Sequence, residues 1–143
     1  MTKSELISIA EKLKQPSEEA QIEFFNNMDI TLSELNETML SRPDLVLLIG
    51  ENNETMMLDN HRNLLRFMNS MFIDYNPEIL VETVLWVFRV YSNHGFNFAY
   101  WPTMLNKVLD ILRNKLSRDS FEQVKPFYSW LYQPFFSKLA NQS

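Results

Sequence analysis

The chain has 143 residues, of which 45% are apolar, and its net charge is −5, which suits one domain with a sizeable core. With only 2 glycines and 6 prolines, it lacks the turn residues that β-sandwiches and β-barrels need, so these folds are excluded. The absence of cysteine excludes disulfides, thiolate metal sites and cysteine nucleophiles, and the acidic balance argues against nucleic acid as the main partner.

The beginning of the chain bears on where the protein resides. Residues 1–15 alternate charged and apolar side chains, as an amphipathic helix does and a secretion signal does not. No stretch of about 18 uninterrupted apolar residues is present to span a membrane. We therefore expect a cytoplasmic protein that forms one domain over residues 1–143 and does not cross a membrane.

Apolar residues recur at helical spacing along the chain and predict about seven helices, two of them short. Ser17 should cap the second helix, and Thr31 with Glu34 matches the S/T-x-x-E pattern of a capping box. Gly50 should end a short apolar helix. A helix of about twenty residues then spans 55–75, and Asn76-Pro77 ends it and begins the next helix.

Residues 78–93 form the most apolar predicted helix, because hydrophobic side chains occupy nearly its whole circumference. Such a helix is expected to be buried on all sides. Helices 102–116 and 117–135 complete the predicted order. A single-layer bundle would not enclose residues 78–93, whereas helices crossing around them would, so we predict an all-α, globin-like fold.

Motifs for catalysis are absent from the sequence. It contains no glycine-rich phosphate loop, no GxSxG elbow and no HExxH pair. His61 and His94 are its only histidines, and Asp59 lies two positions from His61, so the two do not face each other on a helix. We expect no enzymatic activity, no catalytic residues and no metal site. Each histidine is read either as a core or capping residue or as a haem ligand.

Arg89 lies near the end of the most apolar helix and should have an acceptor, because burying an unpaired guanidinium is costly. Glu82, two turns earlier, is one candidate, and backbone carbonyls at the helix end are another. The third is an anion, such as a ligand carboxylate or a halide. The sequence leaves these three open.

Methionines cluster on the helix predicted at 55–75. They can be ordinary core residues, or they can line a deformable apolar tunnel for a long, flexible chain such as a fatty acid. In the tunnel hypothesis, a cation nearby holds the head group. The predicted tunnel residues are Met57, Leu64, Met68, Met71, Val84 and Phe88.

The last helix has aromatic residues on two faces. Because a small domain has one core, the surplus predicts a partner surface, and a second copy of the chain is the simplest partner. We therefore predict a homodimer through Phe127, Trp130 and Phe136.

Residues 89–105 read RVYSNHGFNFAYWPTML. This segment resembles a helix junction in the haem-free, globin-like sensor domains of sporulation sensor histidine kinases and their stand-alone relatives, in which a Tyr…HGF segment precedes Tyr-aromatic-Pro. Looser similarity in length, helix order and the aromatic tail at residues 130–136 covers the rest of the chain.

The resemblance implies a globin-like fold without haem that binds a fatty acid in an apolar tunnel beside a polar chamber able to hold chloride. It also implies a stand-alone sporulation inhibitor, because 143 residues leave no room for kinase modules. Such an inhibitor would compete with a kinase sensor domain or titrate its signal. Arg89, His94 and Tyr91 are the counterparts offered for the polar chamber or the ligand head group. Two alternatives stay open, a haem or gas-sensing globin and a helical adaptor without a ligand.

Overall fold

A computed structural model describes the backbone of residues 2–135 and the side chains as far as residue 133. This part of the chain is all-helical, with eight helices and no strand. They are α1 (Lys3–Ala10), α2 (Glu18–Asn26), α3 (Met28–Leu40), α4 (Leu45–Ile49), α5 (Glu54–Ile73), α6 (Pro77–Asn93), α7 (Tyr100–Lys115) and α8 (Arg118–Phe135).

Most predicted helix boundaries are confirmed by their caps. The Ser17 side chain accepts a hydrogen bond from the Ala20 backbone N–H at the start of α2. Asn76 caps α6, with Pro77 in its first turn, where a missing N–H costs nothing. Gly50 follows α4 with a φ of 84°, as a glycine stop does.

The capping box predicted at Thr31 and Glu34 is wrong. Helix α3 begins at Met28, so Thr31 lies inside it, where its side chain is fully buried. The helix break itself lies at Asn27, whose side-chain amide donates to the Glu23 carbonyl at 2.8 Å and closes the end of α2. The described residues form eight helices, against the predicted seven or so.

A continuous apolar core joins the helices. Helix α2 packs on α5 and α8, α3 packs on α5 and α7, and α1 packs on α6 and α8. At the centre, the Phe72 ring meets Phe24 edge-on with centroids 4.8 Å apart and Phe127 with centroids 5.1 Å apart. Phe72 therefore links α2, α5 and α8.

The expectation that residues 78–93 form a helix buried on all sides is wrong. One side of α6 is buried through Leu80, Val81 and Val84, but Trp86 is 56% and Ile79 is 47% exposed. The helix packs on α1 and α8, and nothing in the described part of the chain covers its outer side. Hydrophobicity around the whole circumference therefore did not mark a central helix here.

Candidate functional site: an apolar cavity between α5 and α6

A cavity of about 350 Å³ lies between α5 and α6, and Trp101 of α7 also lines it. Trp86 contributes to its wall and is 56% exposed, so the cavity reaches the surface at that side. Its wall consists mainly of aliphatic and aromatic side chains, with three polar residues among them. The lining residues are Met56, Asn60, Asn63, Leu64, Phe67, Thr83, Val84, Trp86, Val87, Phe88, Val90, Tyr91 and Trp101.

Helical spacing explains how two helices form this wall. On α5, Met56, Asn60 and Leu64 follow one another at intervals of four residues, which places them on one face. On α6, Val84 and Val87 stand three apart, and Tyr91 follows after four. Each helix therefore contributes a continuous strip to the cavity and a second strip to the core.

Asn60 is the buried polar residue of the cavity wall, with only 2% of its surface exposed. The fully buried Tyr100 hydroxyl donates to its side-chain oxygen at 2.7 Å. Tyr91 lines the same cavity. The cavity thus has a fixed polar point supported from the core side.

The ionisation of Tyr91 reflects this position. Burial raises the pKa of its hydroxyl, the hydrogen bond with Asn60 lowers it, and the negative charge of Asp59 raises it further. The net effect is a raised pKa, so Tyr91 keeps its proton at neutral pH.

His61 lies behind the cavity wall rather than in it. It is fully buried, its Nδ1 is 2.8 Å from the Asn36 Oδ1, and its ring stacks on Tyr100 with centroids 6.3 Å apart. Burial lowers the pKa of the imidazole to about 4. His61 is therefore neutral at physiological pH, and its Nε2 has no hydrogen-bond partner within the described part of the chain.

The structure brings together half of the predicted tunnel residues. Leu64, Val84 and Phe88 line the cavity. The three methionines Met57, Met68 and Met71 are buried core residues outside its lining. Sequence reasoning missed Asn60, Phe67, Val87 and Trp101. Asn60 could have been noticed as a polar residue within an apolar helical face.

Of the three residues offered for a ligand head group, only Tyr91 lines the cavity. His94 is exposed and its Nδ1–H donates to the Val90 carbonyl at 2.8 Å, as a residue closing a helix end does. Arg89 is half-buried and forms no hydrogen bond or ion pair with any residue from 2 to 135. Glu82 does not serve it, because Glu82 accepts from the Lys3 ammonium at 3.0 Å.

Two of the three aromatic residues predicted for a homodimer interface do not lie on the surface. Phe127 is fully buried and Trp130 is 3% exposed. Phe127 contacts Phe72 and Tyr75 edge-on, so it belongs to the core. The premise of a second, exposed aromatic face is therefore wrong for these two residues. Phe136 lies outside the described residues, and the homodimer itself stays a prediction.

A metal centre and a haem site are other classes of site that helices can form. Within residues 2–135, no three His, Asp or Glu side chains come together as metal ligands would. Neither histidine lines the cavity, so neither is placed there as an axial ligand for haem iron. No helix in the described range is both long and apolar enough to cross a bilayer.

Comparisons with protein-family models, with curated proteins and with solved structures find no match for this chain.

Proposed function

We propose that the chain is a non-enzymatic sensor domain that binds the apolar chain of a fatty-acid-like ligand between α5 and α6. The observation that supports this proposal is the cavity itself, whose walls are aliphatic and aromatic except at Asn60, Asn63 and Thr83. Its volume of about 350 Å³ falls at the small end of the range of about 300–1,000 Å³ typical of ligand pockets.

The binding free energy of such a complex would come mainly from the apolar tail of the ligand. Each methylene removed from water contributes about 0.8 kcal/mol. A ten-carbon tail therefore supplies roughly 8 kcal/mol before the entropy of ordering it is subtracted. Affinity should rise with chain length and then fall once the cavity is full.

A substitution that fills the cavity tests this proposal. Val87 lines the cavity and is only half-buried, so Val87→Trp should occupy the ligand's space without overpacking the core. Binding of medium-chain lipids, followed by calorimetry, should weaken by at least about tenfold, which corresponds to about 1.4 kcal/mol.

Ile79→Trp is the matched control, because Ile79 lies on the same helix, is 47% exposed and is not part of the cavity wall. It should bind lipid as the unchanged protein does. Equal binding by Val87→Trp and Ile79→Trp would place the ligand elsewhere or leave the protein without one.

We further propose a globin-like arrangement and a role as a sporulation inhibitor that competes with, or titrates the signal of, a kinase sensor domain. This part rests on the resemblance carried by residues 89–105, and therefore on analogy. Overexpression in a spore-forming host should lower spore yield only when the cognate kinase is present. An equal loss of spores in a strain lacking that kinase would contradict this role.

A helical adaptor without a ligand is the second candidate. The observation that favours it is the apolar surface of α2, where Phe25 is 61% and Ile22 is 53% exposed. These residues stand three apart and share one helix face. Protein that carries no lipid and takes up none when it is offered would favour the adaptor.

A further inference from the structure

We propose that the ligand of this cavity is a single-chain amphiphile with an anionic head, that its tail points inward, and that its head stays at the mouth of the cavity, where Arg66 attracts it. This inference rests on the proposed function and adds to it the orientation of the ligand and the charge of its head. The proposed function concerns only whether an apolar chain binds between α5 and α6.

The wall of the cavity has a buried part and an exposed part. Val84, Phe88 and Trp101 line it with no more than 5% of their surface exposed. Trp86, in contrast, is 56% exposed, and Asn63 on the facing helix is also exposed. We therefore place the mouth of the cavity at Asn63 and Trp86, and its interior towards Trp101.

The interior offers no charged partner to an ionised head group. Within the described part of the chain, the residues that form the wall include no lysine, arginine or histidine. Asn60, the buried polar residue of the wall, is neutral, and its side-chain oxygen already accepts from Tyr100. A carboxylate in the interior would lose its hydration without gaining a cation, which is costly. At the mouth it keeps its water while the tail is buried, so an anionic chain binds with its tail inward.

Arg66 carries a positive charge on the exposed side of α5 next to the mouth. It follows Asn63 by three residues, and side chains at this spacing share one face of a helix. Arg66 is exposed, and within the described part of the chain no ion pair joins it to a carboxylate. Arg62, one turn earlier, already pairs with Asp59 at 2.6 Å. On α5, Arg66 is therefore the cation left for an anionic head.

Brominated fatty acids test the orientation, because bromine quenches tryptophan fluorescence on contact. The probes are a twelve-carbon acid brominated beside its carboxyl group and the same acid brominated at the end of its tail. In the full-length Trp86→Phe variant, Trp101 is the tryptophan left in the wall, and Trp130 lies outside it. The tail-brominated acid should quench this variant strongly and the head-brominated acid only weakly. In the unchanged chain the head-brominated acid should also quench, through Trp86.

Arg66→Gln tests the contact with the head group. At low ionic strength it should weaken binding of the unbrominated acid about twofold to fivefold, as expected for an exposed ion pair, and leave binding of the twelve-carbon alcohol unchanged. Arg118→Gln is the matched control, because Arg118 is also exposed and lies on α8, whose described residues are not part of the wall. It should bind the acid and the alcohol as the unchanged chain does, and circular dichroism should show that all variants are folded.

Two results would overturn the inference while the proposed function stands. One is quenching of Trp101 in Trp86→Phe that is as strong with the head-brominated acid as with the tail-brominated acid. The other is an unchanged affinity of Arg66→Gln for the acid, or an equal loss of affinity for the alcohol. If neither brominated acid quenches the unchanged chain, no apolar chain occupies the cavity. The proposed function then falls, and the orientation falls with it.

Discussion

His61 is a buried side chain whose protonation makes the stability of the fold depend on pH. It is fully buried, its Nδ1 lies within hydrogen-bond distance of Asn36, and its Nε2 has no hydrogen-bond partner among the residues that the structure describes. Burial disfavours the charged imidazolium and lowers its pKa to about 4. In the unfolded chain the same group would titrate near its ordinary value of about 6.5. Below that pH, the unfolded state therefore binds more protons than the folded one.

We predict that stability falls as the pH is lowered from about 6.5 to about 4, because a proton must be taken up on unfolding throughout that window. At about 1.4 kcal/mol per pH unit, a folded pKa of about 4 corresponds to a loss of roughly 3 kcal/mol. Denaturant titrations at several pH values measure this slope. His61→Gln should flatten it in this window, whereas His94→Gln, at an exposed position, should not. An unchanged slope in His61→Gln would show that another group titrates.

The loop after α4 joins the turn between α6 and α7 at a close backbone contact. Asn53 donates one bond to the Ile49 carbonyl at 2.7 Å and one to the His94 carbonyl at 2.8 Å. The Asn97 N–H donates to the Leu48 carbonyl at 2.8 Å. A Cβ at Gly50 would stand 3.2 Å from the Gly95 carbonyl oxygen.

We expect Gly50→Ala to destabilise the fold by about 1–3 kcal/mol, because a φ of 84° with a ψ of 171° is a region that glycine alone adopts readily. The close approach to Gly95 adds to this cost. Thermal or denaturant unfolding measures the change. Leu47→Ala is the control on the same short helix, since Leu47 is 77% exposed and its loss should cost little. Equal stability of the two variants would contradict this account of the junction.

The helix boundaries were largely predictable, since Ser17, Asn76 and Gly50 act through local backbone chemistry that depends on neighbours in sequence. The prediction of a capping box at Thr31 is wrong because the helix break at Asn27 sets the start of α3. It was harder to predict which side of α5 lines the cavity and which side packs in the core. Met56 lines the cavity and Met57 is buried in the core, and apolar periodicity alone does not say what each side faces.

At the scale of the whole molecule, the surface and the cavity follow from how helices pack. Helix α6 has an apolar residue nearly everywhere, yet Trp86 stays exposed because α1 and α8 cover only the other side. The sequence pattern assigns Phe127 to a partner surface, yet Phe127 lies in the core because Phe72 and Tyr75 contact it there. Neither the exposure of Trp86 nor the burial of Phe127 can be predicted from the sequence of one helix, because both depend on contacts between residues far apart in the chain.

The central claim is that the cavity between α5 and α6 holds an apolar chain. Mass spectrometry of an organic extract from the denatured, purified protein tests it most directly, with Val87→Trp prepared in parallel. We predict an aliphatic compound in near-stoichiometric amount from the unchanged chain and from Ile79→Trp, and a marked loss of it from Val87→Trp. The same compound in equal amounts from all three proteins would contradict the claim, because the cavity would then not be where it binds.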